Sequence, residues 1–337
     1  MRPCKRPYAY LNQIVRRHEV LRTTFVDQEG VPRQRVAPEQ PLVLAVVEIQ
    51  EQELEQRVRG DSAASFDLRT GPLFRASLYR VGEQEYVLLL GMHHIISDGW
   101  SLGVLWRELA VLYPACARGE PSPLPALSYQ YADLAVWQRA WLQGDVLTAQ
   151  LDYWKTQLAD APALLNLPTD RPRPKVQSAK GKVVVFTIEA PLTAELKQVS
   201  RDYSASLFMV CHAAFSVLLY RYTGQEEIVV GVPVAGRLHL ATEELVGLFV
   251  NTLPLRIDLA RGQGFNAVLA KARQVALDAF AHQDVPFELL VSSMNVERST
   301  SYTPLFQVML AFDSLGMTEQ PLAFGARGKL PSYAREK

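Results

Sequence analysis

Cysteine is scarce in this chain: Cys4, Cys116 and Cys211 are the only three in 337 residues. An odd, widely spaced set builds no disulfide framework, and a reducing cytoplasm is its simplest setting. Neither charge is in excess, with Lys+Arg and Asp+Glu at 35 each, so nothing suggests an electrostatic hold on nucleic acid or anionic lipid. No apolar run reaches the roughly 20 residues of a membrane-spanning helix, and the basic opening Met1 to Arg6 leads into no signal-type apolar core. The sequence spells no His-Glu-x-x-His or Cys-x-x-Cys metal motif and no phosphate-binding glycine loop. What is present, 48% apolar and 21% charged residues, fits a soluble globular enzyme long enough for two lobes.

The chain is organised around Met92-His93-His94-Ile95-Ile96-Ser97-Asp98-Gly99-Trp100-Ser101. Tyr86 to Gly91 lead into it without alternation and read as a strand buried on both faces. Leu102, Leu105, Leu109 and Leu112 follow at helical steps, with Arg107 and Glu108 off that stripe. Two histidines, an aspartate and a glycine therefore fall where a strand hands over to a helix. A helix N-terminus stabilises negative charge developing beside it, and imidazole suits proton transfer near neutrality. A base and an electrostatic hole in one loop make an acyl-transfer constellation. The four fixed positions of His-His-x-x-x-Asp-Gly would recur by chance on the order of once in a thousand such chains. Two other readings of the same residues stay open. The histidine is then a packed side chain with both nitrogens satisfied, or the His-His-Asp cluster is a zinc site lacking any second ligand cluster.

Around this stretch the spacing predicts a helix from Leu11 running into a strand near Phe25, a strand at Val43 to Ile49, and a polar helix at Gln52 to Val58. A strand at Leu73 to Val81 and a Gly82 to Glu85 turn come before the motif. Tyr129 to Gln138 is an aromatic-rich helix suited to core and lobe packing, which Trp141, Tyr153 and Trp154 continue. Asn166 to Gly181, with Pro168, Pro172 and Pro174, stops helix and sheet alike and reads as a crossover. Beyond it come a strand at Val183 to Ile188, a helix near Thr193 to Arg201, and the apolar helix Leu207 to Tyr222 capped by Ser206, with His212 in its core. Gly224 to Gly231 echoes Gly82 to Leu89, a Gly-led polar turn before an apolar strand. A helix at Phe265 to Ala281 and a strand at Phe306 to Phe312 complete the pattern.

His93-His94-x-x-x-Asp98-Gly99-Trp100-Ser101 resembles the active-site motif of condensation domains from nonribosomal peptide synthetases. Further stretches resemble other motifs of that family: Arg17-His18-Glu19-Val20-Leu21-Arg22-Thr23-Thr24-Phe25, Tyr129 to Gln138, Pro233 to Arg237, Gly247 to Leu253 and His282 to Glu288. Arg298 to Leu305 matches least, having Ser299 and Tyr302 where the family favours Asp and Arg. The resemblance covers Leu11 to Phe312, and the family's opening segment and its last helix and strand are expected to be missing. It implies an α/β fold of two chloramphenicol-acetyltransferase-like αβ-sandwich lobes, a V-shaped pseudo-dimer with a central cleft. The lobes would be residues 1–165 and 182–337, joined by the linker 166–181.

The activity implied is peptide-bond formation between a donor and an acceptor aminoacyl thioester. Both would arrive on 4'-phosphopantetheine arms of carrier domains, with an adenylation domain adjacent and no cofactor or metal bound by this chain. His94 would take the proton from the attacking amine or hold the amine in place, and the Gly99 N–H would meet the oxyanion. His93 would orient the loop, Asp98 would pair with Arg237 from the other lobe, and Arg22 would anchor a helix–strand corner. Trp100, Ser101, Asn251 and Thr252 are candidates to line the cleft; Asn251 and Thr252 serve equally to satisfy loop backbone groups. The spelling Asp98-Gly99-Trp100-Ser101 fits ordinary condensation with an L-configured donor, and the chain is expected to be monomeric. Two alternatives remain: a coenzyme A-dependent His-x-x-x-Asp acyltransferase, and a non-catalytic fragment that docks carriers.

Overall fold

A computed structural model of the chain describes residues 9–313 except 43, 84, 179, 261, 295, 297 and 298. The expected loss of the terminal segments, and any role of Arg298, fall outside these residues. The described chain is mixed α/β and forms two compact units. One holds the chain up to Arg139 together with Arg237–Phe249; the other holds Ala140–Gly236 and the chain from Val250. This division differs from the expected lobes in two places: it falls before the proline-rich stretch, and a later segment belongs to the first unit.

In the first unit α1 (Ala9–Arg17) buries Leu11 and Ile14 on one stripe, and a 3-10 turn at Glu19–Arg22 delivers the chain to β1 (Thr23–Gln28). β1 and β2 (Val31–Val36) form a hairpin. Its two loop residues, Glu29 and Gly30, have φ of 56° and 80°, as a turn matched to strand twist requires. β3 (Ala45–Glu48), β4 (Phe74–Arg80) and β5 (Tyr86–Met92) form a sheet in that order, β3 parallel and β5 antiparallel to β4. Between β3 and β4 lies α2 (Glu51–Ser62), which buries only Val58. α3 (Gly99–Arg118) packs Val104, Leu105, Leu109 and Leu112 into the core with α1, and α4 (Tyr131–Trp141) follows.

One expectation fails here and another holds in part. β5 is half-buried, because it lies at the sheet edge and pairs only with β4 among the described residues. α4 has no fully buried residue and Val136 and Trp137 are exposed, but Tyr131 at its start packs half-buried against the core.

The second unit begins with α5 (Gly144–Gln157), whose Trp154 is fully buried and donates its indole N–H to the His282 carbonyl at 2.8 Å. α6 (Ala190–Asp202) and α7 (Leu207–Thr223) follow, the latter capped as expected by the Ser206 hydroxyl accepting from the Met209 N–H. β6 (Glu227–Val234) and β7 (Asn251–Asp258) pair antiparallel. The expected strand at Phe306 to Phe312 reduces to one parallel bridge, Met309 against Gly231. A Cβ on Gly231 would overlap the Phe306 ring, so the glycine lets that ring pack on β6. α8 (Phe265–Ala281) and α9 (Phe287–Ser293) cover the sheet, joined by the expected helix-to-helix turn. Val183 to Ile188, expected as a strand, belongs to no sheet among the described residues.

His212 lies in the core of α7 with 0% exposure, stacked on Phe208, and neither ring nitrogen has a partner among the described residues. Burial pushes its pKa down to about 4. Below the unfolded imidazole's value of about 6.5 the unfolded chain takes up a proton that the folded one refuses. Stability is therefore complete above that pH and falls as pH drops, by about 3 kcal/mol at pH 4 from this residue. Denaturant titrations across this range should show a flatter acid limb for His212→Leu; identical limbs would mean that another group carries the acid sensitivity.

Candidate functional site

Strand β5 ends at Met92, and His93 is held by its N–H donating to the Leu73 carbonyl at 3.0 Å. His93 Nδ1 accepts the Ile95 N–H at 3.0 Å, capping a 3-10 turn at His94–Ile96. An accepting Nδ1 carries no proton, so the ring proton sits on Nε2. Phe66 meets the same ring edge-on. His93 thus caps the turn that carries His94. Ile96 is fully buried beneath the turn and His94 is exposed above it. The His94 ring makes no hydrogen bond with any described residue.

Asp98 is the N-cap of α3, a role the sequence reading did not assign. Its Oδ1 accepts the Ser101 N–H at 2.8 Å, filling one of the orphan donors of the first turn. The Gly99 N–H has no acceptor among the described residues. A Cβ added at Gly99 would meet nothing within 4 Å, so packing does not demand the glycine and the space beside it is open.

The Asp98 carboxylate faces inward. Arg237 Nη2 stands 3.2 Å from Oδ1, the Phe249 N–H donates to Oδ2 at 3.0 Å, and the side chains of the pair are 4% and 1% exposed. Arg237 also donates to the carbonyls of Leu245, at 2.8 Å, and Thr242, and lies over the Phe249 ring at 4.0 Å. Burial lowers the pKa of its guanidinium, and Asp98 works against that shift. The expected pair forms within the first unit, because Arg237–Phe249 packs there. That return segment has three further anchors. Trp100 Nε1 donates to the Glu243 carbonyl at 2.9 Å, the Tyr131 hydroxyl donates to the Leu248 carbonyl at 2.9 Å, and Val246 is buried in the core.

Two of the cleft candidates have other work. Ser101 is 0% exposed: its Oγ lies 2.7 Å from Asp98 Oδ1 and 2.9 Å from the Gly247 carbonyl, and accepts from the Gly247 N–H at 3.1 Å. A hydroxyl so placed lines no cleft. Asn251 donates to the Gln283 and Val285 carbonyls at 2.9 and 2.8 Å, and its Oδ1 accepts from the Thr252 and Phe287 N–H groups. Its amide is used up on loop backbone, the second of its two readings. Thr252 sits half-buried opposite Pro233 in the β6–β7 ladder.

Gly247, Phe249 and Tyr131 were not singled out, although each lies inside a quoted motif. A Cβ at Gly247 would lie 2.8 Å from Tyr131 Cε2 and 2.9 Å from Phe249 Cε2. Gly247→Ala should therefore lift the return segment and cost about 1–3 kcal/mol in chemical denaturation; no loss would mean the rings yield freely. Glu108, assigned to the polar side of α3, is buried instead. It accepts from Arg17 Nε at 2.6 Å and lies 2.9 Å from His18 Nε2, which makes His18 a packed residue of a charged cluster. Arg22 anchors its corner as expected, donating to Glu19 at 3.1 Å and to the Ala37 carbonyl.

Among the described residues no His/Cys/Asp/Glu cluster could hold a metal. No single helix there is long and apolar enough to cross a membrane.

Comparison with known proteins agrees with this geometry. The Condensation domain family matches residues 9–327. A linear gramicidin synthase polypeptide of Brevibacillus parabrevis is 49% identical over 320 residues, covering 93% of this chain and 4% of that protein. The X-domain from teicoplanin biosynthesis shares 30% identity at a TM-score of 0.84, over 89% of this chain and 68% of that one. A four-domain nonribosomal peptide synthetase bound to AMP and glycine, holo-AB3403, gives a TM-score of 0.81 at 26% identity, over 92% of this chain and 23% of that one. The chain therefore spans a small part of its multidomain relatives. A match that spans every described residue, carrying the His93–Ser101 motif with its buried Asp98–Arg237 pair, makes this chain a member of the condensation-domain family.

Proposed function

We propose that this chain forms the peptide bond between two aminoacyl thioesters in nonribosomal peptide synthesis. The observation that carries the reading is the division of labour in the His-His-x-x-x-Asp-Gly loop. Asp98 is turned into the protein by Arg237, Ser101 and Phe249, which leaves His94 as the exposed titratable side chain of the loop, near the open N–H of Gly99. The attacking amine loses its proton to His94 or is held by it. The carbonyl oxygen that becomes an oxyanion is met by the Gly99 N–H at the positive end of α3; as that adduct collapses the donor's C–S bond breaks, and the released pantetheine thiolate takes up the proton the amine gave up. His93 and the Asp98–Arg237 pair keep that loop in place.

The donor comes on an upstream carrier domain and the acceptor on a downstream one, each on a phosphopantetheine arm, with an adenylation domain supplying the amino acids. The chain itself holds no cofactor and works in the cytoplasm. Bringing two tethered thioesters together replaces a bimolecular encounter and removes much of the entropic barrier. Incubation with both loaded carriers should give an amide product in excess of a His94→Ala control. No amide from a well-folded sample would overturn the proposal, and turnover of free coenzyme A thioesters with a small alcohol would replace it with the acyltransferase alternative.

A further inference from the structure

Phe66 lies between α2 and β4, in a turn that fixes where its ring points. The Asp67 carbonyl accepts the Gly71 N–H at 2.8 Å, and Asp67 Oδ1 accepts the Arg69 and Thr70 N–H groups at 2.8 and 3.4 Å. An aspartate that bonds the backbone two residues on closes a turn in this way. The Leu68 carbonyl takes the Phe25 N–H at 2.7 Å, which ties the turn to β1. Arg75 on β4 is paired opposite Gly91 on β5, so both face the same side of the sheet. His93, extended and two residues past Gly91, continues that side. A Cβ on Gly91 would touch Phe66 Cζ at 3.8 Å, so the bare glycine leaves the half-buried ring its room.

The ring meets two groups there. The His93 imidazole stands perpendicular to it, with centroids 5.9 Å apart, an arrangement that the quadrupoles of the two rings favour. The Arg75 guanidinium lies over it, Cζ 4.2 Å from the centroid, while Arg75 Nη2 donates to the Ser65 carbonyl at 2.8 Å. One cation therefore grips both the ring and the backbone beside it. Arg75 pairs with no carboxylate among the described residues, so the aromatic face takes that place. His93 Nδ1 accepts the Ile95 N–H and so holds the turn under His94. That bond exists in one tautomer and one ring orientation: a proton on Nδ1 would set donor against donor, and a flipped ring would present a carbon. Rotation about the outer bond of a histidine has only a broad, two-fold preference of its own. The Phe66 ring supplies the constraint that the bond lacks.

We propose that Phe66, clamped by Arg75, is a positioning residue: it holds the His93 imidazole in the orientation that caps the turn, and so sets where His94 stands. The role rests on the reading of His94 as the group that meets the amine, but its first test needs no substrate. In the full chain labelled with nitrogen-15 histidine, with His93→Gln identifying the resonances, His93 should show a bare Nδ1 and a protonated Nε2. In Phe66→Leu the two shifts should move toward each other, as a ring freed from the Ile95 N–H exchanges between tautomers. With both carriers loaded, kcat should fall by roughly 3–10-fold, what an aromatic edge contact is worth, and KM for the acceptor carrier should not move. Arg75→Met should act in the same way but more weakly, and Arg75→Lys should recover part of the loss. Once Phe66 is replaced by leucine, Arg75→Met should add nothing. An unmoved His93 spectrum in folded Phe66→Leu, or a kcat loss that merely follows a lowered melting temperature, overturns the proposal. So does an additive Arg75→Met. An inactive wild-type chain would sink the reading of His94 instead, because the nitrogen spectra decide on His93 without it.

Discussion

Asp98→Ala is expected to lower the melting temperature by on the order of 10 °C, and Arg237→Ala by somewhat less. The pair is almost solvent-free, with side chains 4% and 1% exposed. Removing one member leaves the other's charge buried, at about 3–5 kcal/mol, and each kcal/mol shifts the midpoint of a chain of this size by about 2–4 °C. The two variants differ in what remains. Without Arg237 the carboxylate still accepts from the Ser101 and Phe249 N–H groups. Without Asp98 the guanidinium keeps the Leu245 and Thr242 carbonyls but no counter-charge. Asp98→Ala also uncaps α3, at about 1 kcal/mol more. Asp98→Asn should rescue little, because both carboxylate oxygens accept and an amide presents a donor on one side. A double-mutant cycle by urea denaturation would measure the coupling, and single variants that melt like the parent would remove the structural role from this pair.

His94→Ala should behave in the opposite way, with an unchanged melt and amide formation slowed by about 10²–10⁴, the usual worth of a positioned acid–base group. The ring is exposed and bonded to no described residue, so its loss opens no cavity and strands no partner. A pH–rate profile separates the two roles left to it. If His94 removes the proton, a limb of the wild-type profile disappears in the variant; if it only holds the amine, the rate drops at every pH by a similar factor. Gly99→Ala is the companion measurement: the Cβ fits without a clash, so any loss of rate reports crowding beside the N–H and not misfolding. Wild-type rates in a folded His94→Ala protein would take the imidazole out of the reaction.

What could be read from the sequence was the local part of both fold and site. The helical stripe Leu102 to Leu112 and the Ser206 cap depend on neighbours within a turn or two, and α3 and α7 formed as their spacing required. Tyr86 to Gly91 and Val183 to Ile188 were misjudged because an apolar run shows β propensity but not how many neighbours a strand will find. Glu108 was misplaced because its partners Arg17 and His18 are some 90 positions away in the chain. A separation of 146 positions hid Ser101 and Gly247: a serine after an Asp-Gly pair looks like a residue facing substrate until the glycine backbone that fills its hydroxyl is seen. Asp98 with Arg237, far apart in sequence, came from family resemblance alone.

Among the described residues, 237–249 complete a unit whose other members end at Arg139. During synthesis the first 139 residues leave the ribosome about a hundred residues before the segment that neutralises Asp98. Until then the nascent chain carries a bare carboxylate where a guanidinium belongs, and an uncovered apolar patch where Val246 will sit. The amino-terminal half therefore waits, and the second unit's helices α5 to α7 and strand β6 are translated during that wait. Cleaving the gene between residues 139 and 140 would part the first unit from the segment that completes it while leaving the second unit's core on one polypeptide, whereas a break after Phe249 would release the first unit's parts together.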